Sequence, residues 1–265
     1  MSLDVHELRF AYAAQPVLRG VSFRVEPGAL SALLGPNGSG KSTLLKHLAG
    51  FLPARQGRVR VLGRDLAGLS LRERARLIGF LPQSHVPVFP FRVAEVVLTG
   101  RAAGITFLPG RKDREKAAEA MARVGIAHLA DRPYSELSGG ERQLVLIARV
   151  LAQEPRVFLL DEPLAHLDIA NQVRVVRLLK ELAAAGLTVL IVMHDPNLAL
   201  LFADGIVVLK EGRVLRFGPH GEMADRRLYE EAYGVALAAV PFGDRFLLVP
   251  DAAPPAEPPG LRVFR

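Results

Sequence analysis

A glycine-rich segment between an apolar run and an amphipathic run limits the folds open to this chain of 265 residues. Residues 35–43 read GPNGSGKST and match the pattern G-x-x-x-x-G-K-[ST]. The run Leu30–Leu34 predicts a buried strand before the segment, and Ser42–Leu48 predicts a helix after it. A strand, a glycine loop and a helix in this order present backbone N–H groups to phosphate oxygens. We expect phosphate contacts from Gly35, Pro36, Asn37, Gly38, Ser39, Gly40, Lys41, Ser42 and Thr43.

Strands and helices alternate along most of the chain. Beyond the glycine loop, the predicted elements are strands at residues 3–10, 17–25, 58–62, 78–81, 157–160, 187–193, 206–209 and 213–217, and helices at 139–153 and 169–185. The first two strands predict an antiparallel pair, and the last two predict a hairpin. Helices between buried strands are typical of parallel crossovers. The predicted fold class is therefore α/β, a P-loop NTPase core with a mainly parallel sheet and an antiparallel β subdomain.

Two parts of the chain depart from this alternation. From about residue 87 to Leu137 there are helix formers but no strong strand, which predicts a helical subdomain, about 87–150, inserted in the core. Residues 1–245 are then one domain, and residues 246–265 are a short C-terminal extension. That extension contains two predicted edge strands, Phe246–Val249 and Leu261–Phe264. The proline-rich stretch between them, Asp251–Gly260, is predicted to be a tail.

Composition excludes several classes of protein. The chain has no cysteine, which excludes disulfide scaffolds, thiolate zinc sites and cysteine nucleophiles. Its first ten residues lack the apolar core of a signal peptide, and its longest apolar stretch is far shorter than the roughly 18 residues of a membrane span. The net charge of +7 is compatible with nucleic acid, an anionic membrane face or a polyanionic ligand. Its basic clusters alternate with acidic residues, as solvated faces do, so we expect no nucleic-acid partner.

Two acidic residues, Asp161 and Glu162, follow the predicted strand Val157–Leu160. In P-loop NTPases a carboxylate at such a strand end holds Mg²⁺, and this role falls to Asp161. Glu162 points elsewhere and can reach an attacking water as a general base. Together with the glycine loop, this pair predicts a nucleotide, ATP, and Mg²⁺ as the ligands of the site.

The sequence LSGGER at residues 137–142 makes the assignment specific. It resembles the signature of ATP-binding cassette (ABC) ATPases, whose commonest form has Gln where this chain has Glu141. The glycine loop, the signature and the acid pair follow one another in the family's order, and the resemblance covers roughly residues 2–235. It implies that Ser138, Gly139 and Gly140 bind a nucleotide held by a second ATPase chain, with Ser138 and Gly140 on its γ-phosphate. The expected assembly is a head-to-tail homodimer.

The resemblance also implies roles for residues around the phosphates. Gln83, in FLPQ, contacts Mg²⁺ and water, so the expected metal contacts are Ser42, Gln83 and Asp161. His194, in MHD, bonds the γ-phosphate and orients Glu162. The expected catalytic set is Glu162, His194 and Gln83.

Three further positions follow from the same resemblance. Tyr12 lies in the first loop, where an aromatic ring stacks on adenine in the family. Asp168 lies in LAHLD, the loop that communicates across the dimer. Leu164 stands where the family often has Ser or Thr, so we expect no hydroxyl role at that position.

The spacing between Gln83 and Ser138 separates the functional classes that share this ATPase head. Gln83 and Ser138 are 55 positions apart (138 − 83), and the intervening segment resembles in size the helical subdomain of transporter ATPases. DNA-repair ATPases of this type insert a long coiled coil instead, and no sustained heptad pattern is present here. Translation-associated ATPases carry two cassettes in one chain, whereas this chain has one. We therefore expect the ATP-hydrolysing subunit of a membrane transporter.

Several runs resemble one group of bacterial importers, those for iron-siderophore complexes, haem and cobalamin. They are VAEVVLTGR, DEPLAHLD, MHDPNLAL and YEEAYGV. Import of zinc, manganese or molybdate stays an alternative, because the ATPase does not touch the cargo. The implied partners are transmembrane permease subunits and, indirectly, a periplasmic or lipoprotein substrate-binding protein. The implied location is the cytoplasmic face of the inner membrane.

Overall fold

The computed structural model of the chain describes residues 2–83, 91–104, 108–243 and 245–251. Its strands are β1 (Leu3–Tyr12), β2 (Gln15–Val25), β3 (Leu30–Leu34), β4 (Gln56–Val61), β5 (Arg64–Asp65), β6 (Ile78–Leu81), β7 (Val157–Leu160), β8 (Thr188–Val192), β9 (Gly205–Lys210), β10 (Arg213–Pro219), β11 (Leu237–Phe242) and β12 (Arg245–Pro250). Its helices are α1 (Lys41–Leu48), α2 (Leu71–Leu77), α3 (Val93–Leu98), α4 (Arg111–Arg123), α5 (Gly139–Ala152), α6 (Ile169–Ala184), α7 (Pro196–Phe202) and α8 (Arg226–Tyr233).

Five parallel strands form the centre of the molecule, in the order β9-β3-β8-β7-β6, and β10 pairs antiparallel with β9 at one edge. Every residue of β3, β7 and β8 is buried. Burial on both faces explains why these strands are continuous apolar runs rather than alternating ones. Parallel pairing also brings the carboxyl ends of β3, β8, β7 and β6 to one edge of the sheet.

A second, antiparallel sheet has the strand order β2-β1-β4-β5. Leu3 of β1 lies opposite Val25 of β2 on one side and Val61 of β4 on the other. The buried side chains of this sheet pack with α1 and with one face of the central sheet in a single apolar cluster. The antiparallel β subdomain predicted from the first two strands is confirmed, with two further strands.

The central strands divide their side chains between two apolar clusters. Val157 and Leu159 of β7 join the cluster beneath the antiparallel sheet, whereas Phe158 and Leu160 join the cluster formed with most of the helices. Successive residues of a strand point to opposite faces, so four consecutive apolar residues serve both layers. The result is a sheet covered on both sides.

The helices α3 and α4 pack against α5 on the second face. Arg101, which is mostly buried, joins these helices. Its guanidinium donates to Asp113 of α4 at 3.2 Å, to the carbonyl of Ala152, the last residue of α5, at 2.8 Å, and to Glu154, just after that helix, at 2.9 Å. Among the residues described, no helix combines the length and the apolar character needed to cross a membrane.

The last two described elements, β11 and β12, form an antiparallel hairpin that is a separate two-stranded sheet. β12 contains the predicted strand Phe246–Val249, but its partner is β11, which the sequence analysis did not predict. Leu237 and Leu248 of the hairpin are buried in the main core. Residues 252–265, with the predicted tail and the run Leu261–Phe264, lie outside the described residues, as does the start of the predicted helical insertion.

The other predicted strands and helices agree with the structure to within a few residues, and the α/β fold is confirmed. Three helices were not predicted: α2, α7 and α8. Each has only seven or eight residues, and α2 buries none of them. Two turns of helix give too little apolar periodicity to recognise, although Ser70, Asp195 and Asp225 are helix-capping residues by type and cap these helices.

Glu73 of α2 gives a pH-dependent test of this cap. Its carboxylate accepts bonds from the Ser70 N–H at 2.9 Å and from Arg64 at 2.6 Å, and these bonds lower the pKa of Glu73 from 4.5 to about 2. A depressed carboxylate pKa stabilises the folded chain above pH 4.5, and this contribution is lost as the pH falls toward 2. We expect Glu73→Gln to lower the urea midpoint at neutral pH, with a difference from wild type that narrows below pH 4.5. A difference that stays constant over this range would contradict the assignment.

Candidate nucleotide-binding and hydrolysis site

The glycine loop begins where β3 ends and closes on α1. Gly35 has a φ of 147°, and a Cβ at this position would lie 2.0 Å from the Leu209 carbonyl oxygen. Gly40, with a φ of 104°, is the N-cap of α1. The backbone between them is held from outside, because the Gly212 N–H donates to the Ser39 carbonyl at 3.0 Å. Only glycine suits the first position, and the loop is preformed in the folded chain.

Two polar groups in this loop are suited to an anionic ligand. Lys41 is buried, and its ammonium donates to the Gly35 and Pro36 carbonyls at 2.8 and 2.9 Å. Burial lowers the pKa of Lys41, while the charges of Glu162 and Asp161 act in the opposite direction. The Ser39 hydroxyl is buried and has no hydrogen-bond partner among the described residues. A phosphate oxygen would satisfy both groups.

Asp161 lies at the end of β7, directly against the loop. The Ser42 hydroxyl donates to its carboxylate at 3.2 Å. Burial raises the pKa of Asp161, and the neighbouring Glu162 charge raises it further, while the Ser42 bond opposes both. Hydroxyl and carboxylate oxygens side by side fit Mg²⁺, whose positive charge would offset the cost of burying the Asp161 carboxylate.

Among the described residues, no cluster of three or more His, Cys, Asp or Glu could hold a metal alone. Mg²⁺ commonly relies on substrate phosphates and water for its other ligands, so this agrees with a nucleotide-dependent site.

Glu162 lies between residues from two neighbouring strand ends. The Gln83 amide, after β6, donates to one carboxylate oxygen at 2.5 Å, and His194 Nε2, after β8, lies 2.8 Å from the other. Glu162 itself has a φ of 51°, a left-handed conformation that is costly for a side chain with a Cβ. These three residues are far apart in the sequence, and the parallel sheet brings them into one cluster. Each oxygen of the carboxylate therefore has a partner that fixes its direction.

The space beside the loop has two adjoining parts. A cavity of about 300 Å³ is lined by residues of the loop together with Val17 and Glu162. A larger groove of about 860 Å³ is lined by Tyr12, Phe10 and Leu18, among others, and Leu18 is the neighbour of Val17 in β2. The Tyr12 ring is half exposed and meets Phe10 edge-on, with centroids 4.8 Å apart. Tyr12 is thus available for stacking in the groove next to the phosphate cavity.

The signature residues form the start of α5. Ser138 is the N-cap: its hydroxyl accepts from the Glu141 N–H at 3.3 Å, and the Glu141 carboxylate accepts from the Ser138 N–H at 2.8 Å. The Ser138 bonds lower the pKa of Glu141. Glu141, which replaces the common Gln of the family, therefore serves as the acceptor of a reciprocal capping box. Its charge also suits a helix N-terminus.

The signature and Asp168 form a second group, separate from the glycine loop. Within the described part of the chain, no hydrogen bond or ion pair joins Ser138, Gly139, Gly140 or Asp168 to the loop. Asp168 is the N-cap of α6 and accepts from the Asn171 N–H at 2.8 Å and from the Asn171 amide at 3.1 Å. The sequence-predicted residues thus fall into two separate groups.

Two amides in the first turn of α6 were missed by sequence reasoning. Asn171 lies against Gly140, where a Cβ would come within 2.5 Å of its side chain, so Asn171 joins the signature to Asp168. Gln172 donates to the carbonyls of Leu164 and Leu167 at 3.4 and 3.1 Å and holds the loop between them. The Leu164 side chain is buried. The sequence signal that could have found these two amides is an adjacent Asn and Gln shortly after the helix-capping residue Asp168.

Comparison with known proteins decides the family. A family model described as ABC transporter matches residues 18–165. The chain belongs to the ABC transporter family. It is 44% identical over 245 residues to the hemin import ATP-binding protein HmuV of Roseobacter denitrificans, covering 89% of this chain and 92% of the relative. It is 45% identical to the protein of the same name from Streptomyces coelicolor, covering 93% of this chain and 89% of the relative.

Solved structures agree with this membership. An inward-facing metal-chelate type ABC transporter aligns with a TM-score of 0.82 and 33% identity, covering 94% of this chain and 97% of that one. The dimeric ATP-binding cassette MJ0796, in a post-hydrolysis state with ADP and Pi, aligns with a TM-score of 0.70 and 28% identity, covering 82% of this chain and 98% of that one. As a member of the family, this ABC ATPase hydrolyses ATP and couples the hydrolysis to transport.

Two neighbouring glycines give a matched test of the contact between the signature and α6. A Cβ on Gly140 would collide with Asn171 at 2.5 Å, whereas a Cβ on Gly139 would meet nothing within 4 Å. We expect Gly140→Ala to lower the free energy of unfolding by about 1–3 kcal/mol through overpacking. Gly139→Ala should be neutral or stabilise by up to about 1 kcal/mol. Urea midpoints of the two variants measure the difference, and equal midpoints would contradict the contact.

Proposed function

We propose that this chain is the ATP-hydrolysing subunit that energises an importer of hemin or a related metal chelate. The observation that supports the hydrolytic part is the Glu162 cluster: a carboxylate beside the glycine loop, with one partner on each oxygen. The cargo rests on the hemin-import relatives and on the metal-chelate type of the structural neighbour.

In this proposal the residues of the glycine loop, Gly35 to Thr43, hold the phosphates, with Lys41 turning from the Gly35 and Pro36 carbonyls to the β- and γ-phosphates. Tyr12 stacks on the adenine. Ser42, Asp161 and Gln83 would hold Mg²⁺, which neutralises charge that develops on the phosphate oxygens when it is bound.

Glu162 acts as the general base. It accepts a proton from a water whose oxygen attacks the γ-phosphorus, while the bond from that phosphorus to the β–γ bridging oxygen breaks and ADP leaves. Gln83 and His194 hold the two carboxylate oxygens, so the basic lone pair is directed before the water arrives. His194 also donates to the γ-phosphate. The protein accelerates ATP hydrolysis by positioning the reacting groups and stabilising charge, and it forms no covalent bond to the phosphate.

A second copy of the chain completes each site in the proposed head-to-tail homodimer. The separation of the signature group from the glycine loop supports this: Ser138, Gly139 and Asp168 are exposed, and within the described residues none of them bonds the glycine loop. Ile169, next to Asp168, is 80% exposed although it is apolar. Such a residue is suited to burial in a protein interface.

The remaining partners follow from the importer assignment. We propose docking on transmembrane permease subunits at the cytoplasmic face of the inner membrane, with a periplasmic or lipoprotein substrate-binding protein as an indirect partner and no nucleic acid. The proposed domain organisation is one ABC ATPase domain, 1–245, with a helical insertion at about 87–150 and an extension, 246–265. The burial of Leu248 supports packing of the first part of that extension on the domain.

The role of Glu162 is testable with an isosteric change. Glu162→Gln retains the size and shape of the side chain but cannot accept the proton. We expect kcat for ATP hydrolysis to fall by about 100-fold or more, while the Kd for ATP stays within about two-fold because the glycine loop is intact. Near-normal turnover by this variant would contradict the assignment of the base.

The cargo requires a test in cells. A strain that lacks this chain should fail to grow with hemin as its only iron source and should grow normally on inorganic iron. Wild-type protein should restore growth on hemin, and Glu162→Gln should not. Undiminished growth on hemin, with loss of uptake of a siderophore complex, cobalamin, zinc, manganese or molybdate, would assign a different cargo to the same ATPase.

A further inference from the structure

The short helix α7 starts next to the proposed switch histidine. Asp195, the residue after His194, is its N-cap and accepts from the Asn197 N–H at 2.8 Å. The helix has seven residues, Pro196–Phe202. Isolated helices shorter than about 12 residues are not stable in water, so α7 depends on tertiary contacts. The C-terminal hairpin of β11 and β12 supplies them at both ends.

At the first end, Asn197 pairs with the backbone of β12. Its amide donates to the Leu248 carbonyl at 3.0 Å, and its side-chain oxygen accepts from the Leu248 N–H at 2.7 Å. This is the pattern that a neighbouring strand residue would make, and it uses the donor and the acceptor of the amide together. Asn197 therefore links the hairpin through its side chain and the Asp195 cap through its backbone.

At the other end, Arg245 of β12 caps the helix. Its guanidinium donates to the carbonyls of Leu200 and Leu201, both at 2.6 Å. A cation on the last carbonyls of a helix is favoured by the helix dipole. The hairpin is itself anchored, because Leu237 and Leu248 are buried in the core.

His194 thus lies between two fixed points. Before it, the Met193 N–H donates to the Leu33 carbonyl of β3 at 3.2 Å, and Met193 is buried. After it comes the Asp195 cap of α7. The His194 side chain is 47% exposed, so packing around the ring does little to hold it against Glu162. The backbone on its two sides has to set its position.

We infer that the C-terminal hairpin positions His194 against Glu162 through α7, with Asn197 and Arg245 as positioning residues. The inference rests on the role proposed for His194 in hydrolysis. It gives the hairpin a part in catalysis although the hairpin lies far along the chain from every nucleotide-binding motif. Small displacements of a positioned group reduce turnover strongly, whereas nucleotide affinity depends on the glycine loop and should persist.

Three substitutions in the full-length chain test this inference. Asn197→Asp keeps the size of the side chain but replaces the donor to the Leu248 carbonyl with an oxygen that can only accept, so this hydrogen bond is lost. Arg245→Met keeps the apolar stem and removes both bonds to α7, and Arg245→Lys keeps the charge and can donate. Val240→Thr is the matched control, because Val240 lies on β11, is 44% exposed and makes no side-chain bond to α7 in the described structure.

The measurements are kcat and KM for ATP hydrolysis, equilibrium ATP binding, thermal unfolding, and the imidazole NMR signals of His194, assigned by their loss in His194→Gln. For Asn197→Asp and Arg245→Met we expect kcat to fall about 10- to 100-fold with ATP affinity within about two-fold, and a shifted or broadened His194 signal. Arg245→Lys should recover part of the activity, and Val240→Thr should match wild type. Adding Asn197→Asp to His194→Gln should lower kcat no further.

Contrary results separate the two levels of the proposal. If Asn197→Asp and Arg245→Met turn over normally while His194→Gln is slow, the positioning role is wrong and the role of His194 stands. If ATP binding falls in parallel with kcat, or the effects of His194→Gln and Asn197→Asp multiply, the hairpin has only a structural role. If His194→Gln itself hydrolyses ATP normally, the role of His194 and the inference built on it are both overturned.

Discussion

Parallel hydrogen bonding between β3, β8, β7 and β6 aligns their carboxyl ends, and each of these strands leads into a group of the proposed ATPase site. The glycine loop follows β3, and Gln83 follows β6. The acid pair follows β7, and His194 follows β8. The register of the sheet therefore sets the distances of 2.5–3.2 Å between side chains that lie far apart in the sequence. A shift of β7 against its two neighbours would separate the base from both of its partners.

The electrostatics of the site favour a charged ligand. Two carboxylates and one ammonium lie at the buried edge of the sheet, and burial disfavours the charged forms of Asp161 and Lys41 alike. An anionic phosphate on Lys41 and a divalent cation on Asp161 would each supply a further counter-charge. The burial that disfavours these charged forms therefore makes the groups suited to bind a nucleotide together with its metal ion.

Support for this site comes from parts of the chain that do not touch the nucleotide-binding loop. Asn171 and Gln172 tie the loop after the acid pair to α6 and to the signature, and the C-terminal hairpin holds α7 beside His194. Gln172, Asn197 and Arg245 each donate from a side-chain amide or guanidinium to backbone carbonyls of a short segment, whereas Asn171 donates to the Asp168 carboxylate. Such bonds fix loops that have too few apolar contacts to be rigid by packing.

Motifs with fixed spacing were readable from the sequence because their chemistry depends on adjacent residues. The glycine loop, the acid pair, the buried strand Val157–Leu160 and the α/β class fall in this group. The short helices α7 and α8 and the hairpin partner β11 were not predicted, since elements of two turns or with solvent-exposed faces carry little periodicity. The residues of β11 are nearly all exposed, and this strand is recognisable only beside β12.

The sequence by itself determined which groups the protein has for phosphate, metal and proton transfer, because residue type and local order decide that chemistry. Only the tertiary structure decided that Gln83 and His194 take opposite oxygens of Glu162, that Asn171 fills the space over Gly140, and that the hairpin clamps α7. These contacts join segments separated by tens of residues. Their geometry follows from sheet register and packing, which no local pattern encodes.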